Sequence, residues 1–273
     1  MNKPILRWAG GKWHLINYLK KYLPVDYANR RYCEPFLGAG SLFFSLKPQN
    51  AFISDLNEHL INCYQHIRDN PKLISTYLQR HSKNTSEDYY YGLRDLYNKS
   101  ADSIAQAARF IYLNRTCFNG IFRVNLKGEF NVPYGWKEPP PIPTFGQLLE
   151  TSKSLEKTRI EAISFDLALA QINKKDFIYL DPPYPPLNGT SFFTHYTSDR
   201  FLKEDQKRLA QLVKELDKVG CKILMSNADT KYIRELYKKF NISNLSVRRW
   251  VTSKAVKHQV SELVITNYDA FYS

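Results

Sequence analysis

Arg31-Tyr32-Cys33-Glu34-Pro35-Phe36-Leu37-Gly38-Ala39-Gly40, then a helical run from Ser41, then Ala51-Phe52-Ile53-Ser54-Asp55, is the stretch that decides the fold. Two short apolar segments read as buried strands, with two glycines between the first strand and the helix. An acid ends the second strand. Strand, glycine-rich turn, helix, strand and acid form the opening of a doubly wound α/β sheet.

The same stretch suggests a ligand. Glycine at 38 and 40 tolerates positive φ and lets a ligand approach the backbone. The helix N-terminus beyond it favours a negative group such as a carboxylate, and Asp55 is placed for ribose hydroxyls. This points to a nucleoside-containing cofactor, with NAD and S-adenosylmethionine both open. The third glycine of the dinucleotide fingerprint would fall at Phe43, which counts against NAD. Gly10-Gly11-Lys12 lacks the spacing of a phosphate loop and any preceding strand.

Outward from this stretch the alternation stops. Leu56 to about Arg115 reads as helical, with Asn70-Pro71 breaking one helix and Ser100–Ser103 separating two others. Residues 121–134 predict a β-hairpin: Ile121–Asn125, a turn at Gly128, and Glu129–Val132. Glu138–Pro143 is a stiff connector. The α/β pattern resumes with strands near 159–163 and 176–180 and a helix over 203–218. That helix carries Leu209, Leu212, Val213 and Leu216 on one face and is stopped by Gly220. Strands follow at 221–225, 242–249 and 260–267. The layout is a sheet domain interrupted by a helical and hairpin insertion.

Asp181-Pro182-Pro183-Tyr184 ends the strand Phe177–Leu180. Two prolines fix two φ angles and supply no N–H, so the ladder stops there. An Asp oxygen beside a Pro carbonyl matches the two N–H donors of a planar amino group, and Tyr184 offers a flat face to the attached ring. An ordinary strand-to-loop turn is the competing reading.

The chain has 273 residues, 43% of them hydrophobic, enough for one domain with a large insertion or for two. No apolar run approaches the ~18 residues of a membrane span, and the N-terminus lacks the apolar core of a signal peptide. Cys33, Cys63, Cys117 and Cys221 show no CxxC pairing, which argues against a zinc site or disulfide framework and for a reducing cytoplasm. No metal is expected. Lys and Arg number 39 against 26 Asp and Glu, a net charge of +13 that favours a polyanionic partner. Lys231 to Val260 holds eight basic residues and one acid, Glu235. The 19 Tyr, 16 Phe and 4 Trp suit base stacking, although most must pack the core.

Taken in order, Arg7-Trp8-Ala9-Gly10-Gly11-Lys12, Glu34-Pro35-Phe36…Gly38…Gly40 and Asp181–Tyr184 resemble the motifs of adenine-N6 DNA methyltransferases of the Dam type, over nearly the full length. The resemblance implies a Rossmann-like methyltransferase sheet domain at 1–56 and 146–273. It implies an inserted helical and β-hairpin DNA-recognition domain at 57–145. The implied reaction moves a methyl group from S-adenosylmethionine to adenine N6 in duplex DNA, in GATC, by base flipping and direct in-line transfer. Asp181, Pro182 and Tyr184 carry the catalytic roles. The cofactor set is Trp8, Gly10, Lys12, Glu34, Pro35, Phe36, Gly38, Gly40, Asp55, Phe165 and Asp181.

Asn114–Arg123 and Glu129–Gly135 resemble the family's DNA-reading hairpin. That makes Arg7, Arg115, Phe118, Asn119, Arg123, Asn125, Asn131 and Pro133 the DNA-binding set. Arg123 matches a guanine-reading arginine and Phe118 an aromatic wedge; Asn119, Asn125 and Asn131 contact phosphates or hold the hairpin; Pro133 touches a thymine methyl. Arg248-Arg249 and Lys254–Lys257 resemble a basic phosphate-contacting segment.

The chain departs from the pattern at Ser164-Phe165-Asp166, where relatives often carry an acid before the aromatic. Strand alternation would turn Asp166 to the face of Ser164, making it a cofactor candidate, while a helix N-cap is the other reading. Trp136-Lys137 also stands in reversed order. The expected partner is double-stranded DNA, with no membrane, no metal, and a monomer or weak dimer on DNA. The expected setting is cytoplasmic, in a bacterial nucleoid or a phage-infected cell, with a host, phage or restriction–modification origin all open. Methyl transfer to RNA or a protein amide, and a catalytically silent DNA-binding module, remain the alternatives.

Overall fold

The computed structural model describes residues 3–135, 142–185, 201–250 and 257–270, with backbone alone over 246–250 and 257–260. One sheet contains β1 (Tyr32–Glu34), β2 (Ala51–Asp55), β3 (Thr158–Ala162), β4 (Phe177–Leu180), β5 (Lys222–Ala228), β6 (Asn241–Trp250) and β7 (Lys257–Thr266). Their spatial order is β3-β2-β1-β4-β5-β7-β6. The first five pair in parallel, and β7 runs antiparallel between β5 and β6. From the β1–β4 contact the parallel strands run outward in chain order, to β3 on one side and to β5 on the other. At such a switch point a crevice opens beyond the carboxyl ends of the strands.

Side chains alternate across the sheet, so each strand feeds two cores. Tyr32, Ile53, Phe177, Tyr179, Leu224 and Val264 enter one. Cys33, Phe52, Ile178, Leu180, Ile223, Met225, Leu263 and Ile265 enter the other. A parallel sheet needs both faces covered. The first face receives α1 (Ile16–Leu19), α2 (Ser41–Leu46) and the helices that follow β2. These are α3 (Glu58–Asp69), α4 (Pro71–Ser82), α5 (Glu87–Lys99), α6 (Ile104–Thr116) and α7 (Phe145–Leu155). The second face receives α8 (Phe165–Leu169), α9 (Lys203–Lys218) and α10 (Lys231–Leu236).

Local chemistry sets the helix starts. Asn57, Ser86, Ser103 and Thr144 each accept a backbone N–H from the first turn, which satisfies a donor the helix cannot. Pro71 opens α4, where its missing N–H costs nothing. The expected breaks at 70–71 and 100–103 are where helices end.

The expected hairpin is narrow. Val124 and Phe130 form an isolated antiparallel bridge, as do Cys117 and Tyr134. Asn131 N donates to Arg123 O at 3.1 Å, Asn125 N to Glu129 O at 2.9 Å, and Gly128 N to Asn125 O at 3.0 Å. The second arm takes its other partners from α5. Asn98 donates to Phe130 O at 3.0 Å and accepts from Phe130 N at 2.9 Å. Tyr90 Oη donates to Val132 O at 2.8 Å. Phe122, Phe130 and Val132 are buried, so the hairpin is seated on the helices.

β5 runs three residues beyond the expected end, because Ser226 and Asn227 find internal partners and stay buried. The connector over 138–143 falls outside the described residues except for Ile142 and Pro143, as do Trp136-Lys137 and Lys254. The side chains of Arg248, Arg249 and Lys257 are likewise not described.

At the far end of β4, buried Asp176 accepts from Arg31 Nε at 3.2 Å and from Asn173 N at 2.7 Å. Removing it strands a guanidinium that is only 21% exposed. Asp176→Ala is expected to lower unfolding stability by about 2–3 kcal/mol in urea titration. A loss below about 0.5 kcal/mol would show that water takes over the pairing.

Candidate active site

Alternation by two gathers the polar groups. Glu34 follows the parity of Tyr32, Asp55 that of Ile53, Asp181 that of Tyr179, Ser226 that of Leu224, and Glu262 that of Val264. All belong to the face covered by α1 to α7. They form a polar stripe at the switch point.

Lys12 reaches this stripe from the segment preceding β1 and is 3% exposed. Its Nζ lies 2.7 Å from Asp181 Oδ1 and 2.9 Å from Oδ2. It also donates to Gly10 O at 2.9 Å and lies 4.5 Å from the Tyr184 ring centroid. A buried ammonium requires such pairing. Ser226 Oγ donates to Asp181 Oδ1 at 2.8 Å. Tyr184 Oη donates to Glu262 Oε2 at 2.9 Å, and Gln206 Nε2 to Pro183 O at 3.0 Å. The proline loop is therefore fixed by its ends and by its carbonyl.

Around the glycine-rich turn, Asp55 accepts from Gly38 N at 2.9 Å and Asn57 N at 3.0 Å. Gly38 has φ +48°, and a Cβ there would meet Trp8 Cδ1 at 2.8 Å. The indole thus lies directly on the turn, which explains the glycine. Trp8 also stacks on Phe122 at 5.6 Å, joining the turn to the base of the hairpin. The backbone at Gly10 has open space around it. Pro35 is buried, Gly40 caps α2 with φ +64°, and Phe36 stacks on Phe165 at 5.4 Å with Phe201 edge-on at 5.7 Å.

Burial pushes Glu34 well above the ordinary glutamate value; its Tyr32 hydrogen bond opposes the rise, and the nearby Asp181 carboxylate adds to it. Burial also raises Asp55, against the backbone N–H groups it accepts. Acids held this way respond to a cationic or hydroxyl ligand.

The grounds for Asp166 change. β3 ends at Ala162, and Ser164 caps α8 by accepting from Leu167 N at 3.5 Å. Strand alternation therefore does not reach Asp166, and the cap is Ser164 rather than Asp166. Asp166 lies in the first helical turn and pairs with Arg208 at 2.8 Å.

The hairpin residues divide by environment. Buried Asn114 accepts from Arg7 N and donates to Arg7 O, both at 2.8 Å. The Arg7 side chain crosses Gly120, where a Cβ would meet Cδ at 2.4 Å. Arg115 is half-buried, and burial together with Arg7 lowers its pKa. Phe118 is 51% exposed, and Asn119 beside it has φ +56°. Arg123 Nε donates to Asn131 Oδ1 at 2.8 Å. Asn125 uses its amide within the turn, accepting from Lys127 N at 2.9 Å and donating to Glu129 at 2.8 Å. This favours its hairpin-holding reading. Pro133 is exposed, with its carbonyl taken by Phe118 N at 2.9 Å.

Four site residues escaped the sequence reading: Ser226, Gln206, Glu262 and Asn114 as a clamp. Ser226-Asn227 after an apolar strand, and a lone acid before Leu263-Val264-Ile265, were the available signals. Among the described residues no group of three or more His, Cys, Asp or Glu has metal-holding geometry. No described helix is long and apolar enough to cross a membrane.

Comparison with known proteins places the chain among DNA methyltransferases. Residues 8–251 match the family described as D12 class N6 adenine-specific DNA methyltransferase, and the chain belongs to that family. It is 38% identical to the type II methyltransferase M1.LlaDCHI of Lactococcus lactis subsp. cremoris, over 97% of this chain and 95% of that one. Identity is also 38% to the type II methyltransferase M.MjaIII of Methanocaldococcus jannaschii, over 97% and 99%. It is 34% to the DNA adenine methylase of Escherichia coli, over 96% and 94%.

The buried Glu34 carboxyl generates a pH prediction. Raised above 4.5 when folded, it binds a proton that the unfolded chain has released, so stability falls as pH climbs from 4.5 toward the folded value. Glu34→Gln removes that loss. Its thermal stability relative to wild type is expected to rise as pH climbs above 4.5, by up to about 1.4 kcal/mol per pH unit. A pH-independent difference in melting temperature would contradict the assignment.

Proposed function

We propose that this enzyme transfers a methyl group from S-adenosylmethionine to N6 of adenine in duplex DNA, within GATC, on a base flipped from the helix. The observation that carries this reading is the Asp181 carboxylate, pinned by Lys12 and Ser226 beside the Tyr184 ring at the switch point. In this reading residues 1–56 and 146–273 form the catalytic domain and 57–145 the recognition domain.

The residues fit the cofactor. Open backbone at Gly10, the turn at Gly38 and Gly40, two acids in Glu34 and Asp55, and the Phe36–Phe165 stack suit its ammonium, ribose and adenine. Trp8 closes the turn, Lys12 holds Asp181, and Pro35 stiffens the exit from β1. Bound there, S-adenosylmethionine would supply a methyl group on a sulfonium for direct in-line transfer. Asp166, paired with Arg208, is not retained in the set.

The chain's own groups prepare the nucleophile. Adenine's amino lone pair is delocalised into the ring. Asp181 and the Pro182 carbonyl accept its two N–H groups and favour a pyramidal nitrogen. Each Asp181 oxygen has more than one acceptor direction, so Lys12 and the substrate amine share the carboxylate. Lys12 holds the carboxylate in place, and the proton released by nitrogen leaves to solvent. Tyr184 stacks on the base. Orientation and electrostatics carry the acceleration.

Arg123, backed by Asn131, reads guanine; exposed Phe118 wedges into the duplex; Pro133 meets a thymine methyl. Arg7 brings positive charge beside Gly120, with Arg115 close enough to feel it, and Asn119 reaches a phosphate. Asn125 holds the turn that presents them.

Asp181→Ala is expected to lower methyl transfer at least about 1,000-fold while duplex affinity changes less than about threefold. An active Asp181→Ala enzyme would refute the chemistry. Arg123→Ala is expected to lose about 10–100-fold of discrimination against a substituted guanine. Unchanged selectivity would remove its reader role.

A further inference from the structure

We infer that Glu262 is a positioning residue for methyl transfer, fixing the place of the Tyr184 ring through the tyrosine hydroxyl. The inference rests on the proposed role of Tyr184 as the surface on which the target base stacks.

Glu262 sits within β7, opposite Ala228 of β5 and Leu245 of β6. It is 1% exposed and followed by Leu263, Val264 and Ile265, all in the core. A carboxylate in such a position is costly to bury, and an apolar residue of similar volume would serve packing at least as well. Its Oε2 accepts from Tyr184 Oη at 2.9 Å.

The two prolines before Tyr184 fix backbone φ but leave its own side chain free. Tyrosine χ1 has three staggered wells, so backbone rigidity does not choose where the ring stands. A hydrogen bond at the para oxygen acts at the end of the ring farthest from the backbone. Glu262 shares a sheet face with Asp181 and Ser226, so the bond ties the ring to the strands that hold the carboxylate. Lys12, 4.5 Å from the ring centroid, contacts the same ring and ion-pairs with Asp181. Base surface and amine acceptor thereby share one frame before substrate arrives, which lowers the cost of ordering them on binding.

The test is a mutant cycle on single-turnover methyl transfer, with 2-aminopurine at the target position reporting base stacking by fluorescence. Tyr184→Phe and Glu262→Leu are each expected to slow transfer about tenfold and to alter the 2-aminopurine signal. The double variant should be no slower than either single, and Glu262→Gln, which keeps an acceptor oxygen, should stay within about threefold of wild type. If Glu262→Leu does not fold, Glu262→Asp takes its place, since the shorter acid withdraws the oxygen and must show the same loss. A double variant about 100-fold slower, the product of the singles, would overturn the inference. So would a Glu262→Gln enzyme as slow as Glu262→Leu. Tyr184→Ala separates the two levels. If it retains full activity, the stacking role fails and the inference with it. If it loses activity while Tyr184→Phe and Glu262→Leu keep theirs, the inference alone fails.

Discussion

The ion pair between Lys12 and Asp181 is the constraint on which the site depends. Lys12 is almost wholly buried, so its ammonium must find an anion, and Asp181 at the end of β4 supplies both oxygens. That pairing draws the segment before β1 across the carboxyl ends of the strands. Trp8 is then laid on Gly38, and Arg7 on Gly120. Breaking the pair would leave one charge buried without compensation, which is costlier than never having buried it.

A second consequence follows from the same segment. Trp8 stacks on Phe122 at the hairpin base, and Asn114 of α6 grips both backbone groups of Arg7. The turn at Gly38, the loop at Asp181 and helix α6 therefore share one short piece of chain. A displacement of the hairpin base has a direct mechanical route to the glycine turn.

Much of this was legible in the sequence, for identifiable reasons. The stretch from Arg31 to Asp55 announces its strands, turn and helix because each signal is local: apolar runs, paired glycines, a terminal acid. The breaks at Asn70-Pro71 and Ser100–Ser103 are equally local. Ser226, Gln206 and Glu262 were not legible. Ser226 and Glu262 meet Asp181 and Tyr184 only through strand parity and a spatial order in which β7 enters between β5 and β6, and Gln206 reaches Pro183 from α9, packed on the other face. The alternation that pointed to Asp166 does not extend past Ala162, because Ser164 already caps a helix. The hairpin was legible as a turn, but not the replacement of ladder partners by Asn98 and Tyr90, which come from a helix remote in sequence.

The most direct measurement of the central claim is transfer of label from methyl-labelled S-adenosylmethionine to duplexes that differ only within GATC, followed by location of the modified base. The account predicts label on adenine N6 of intact GATC and its loss when the guanine is replaced. Label on a ring carbon or on cytosine, or equal labelling of all duplexes, would contradict it.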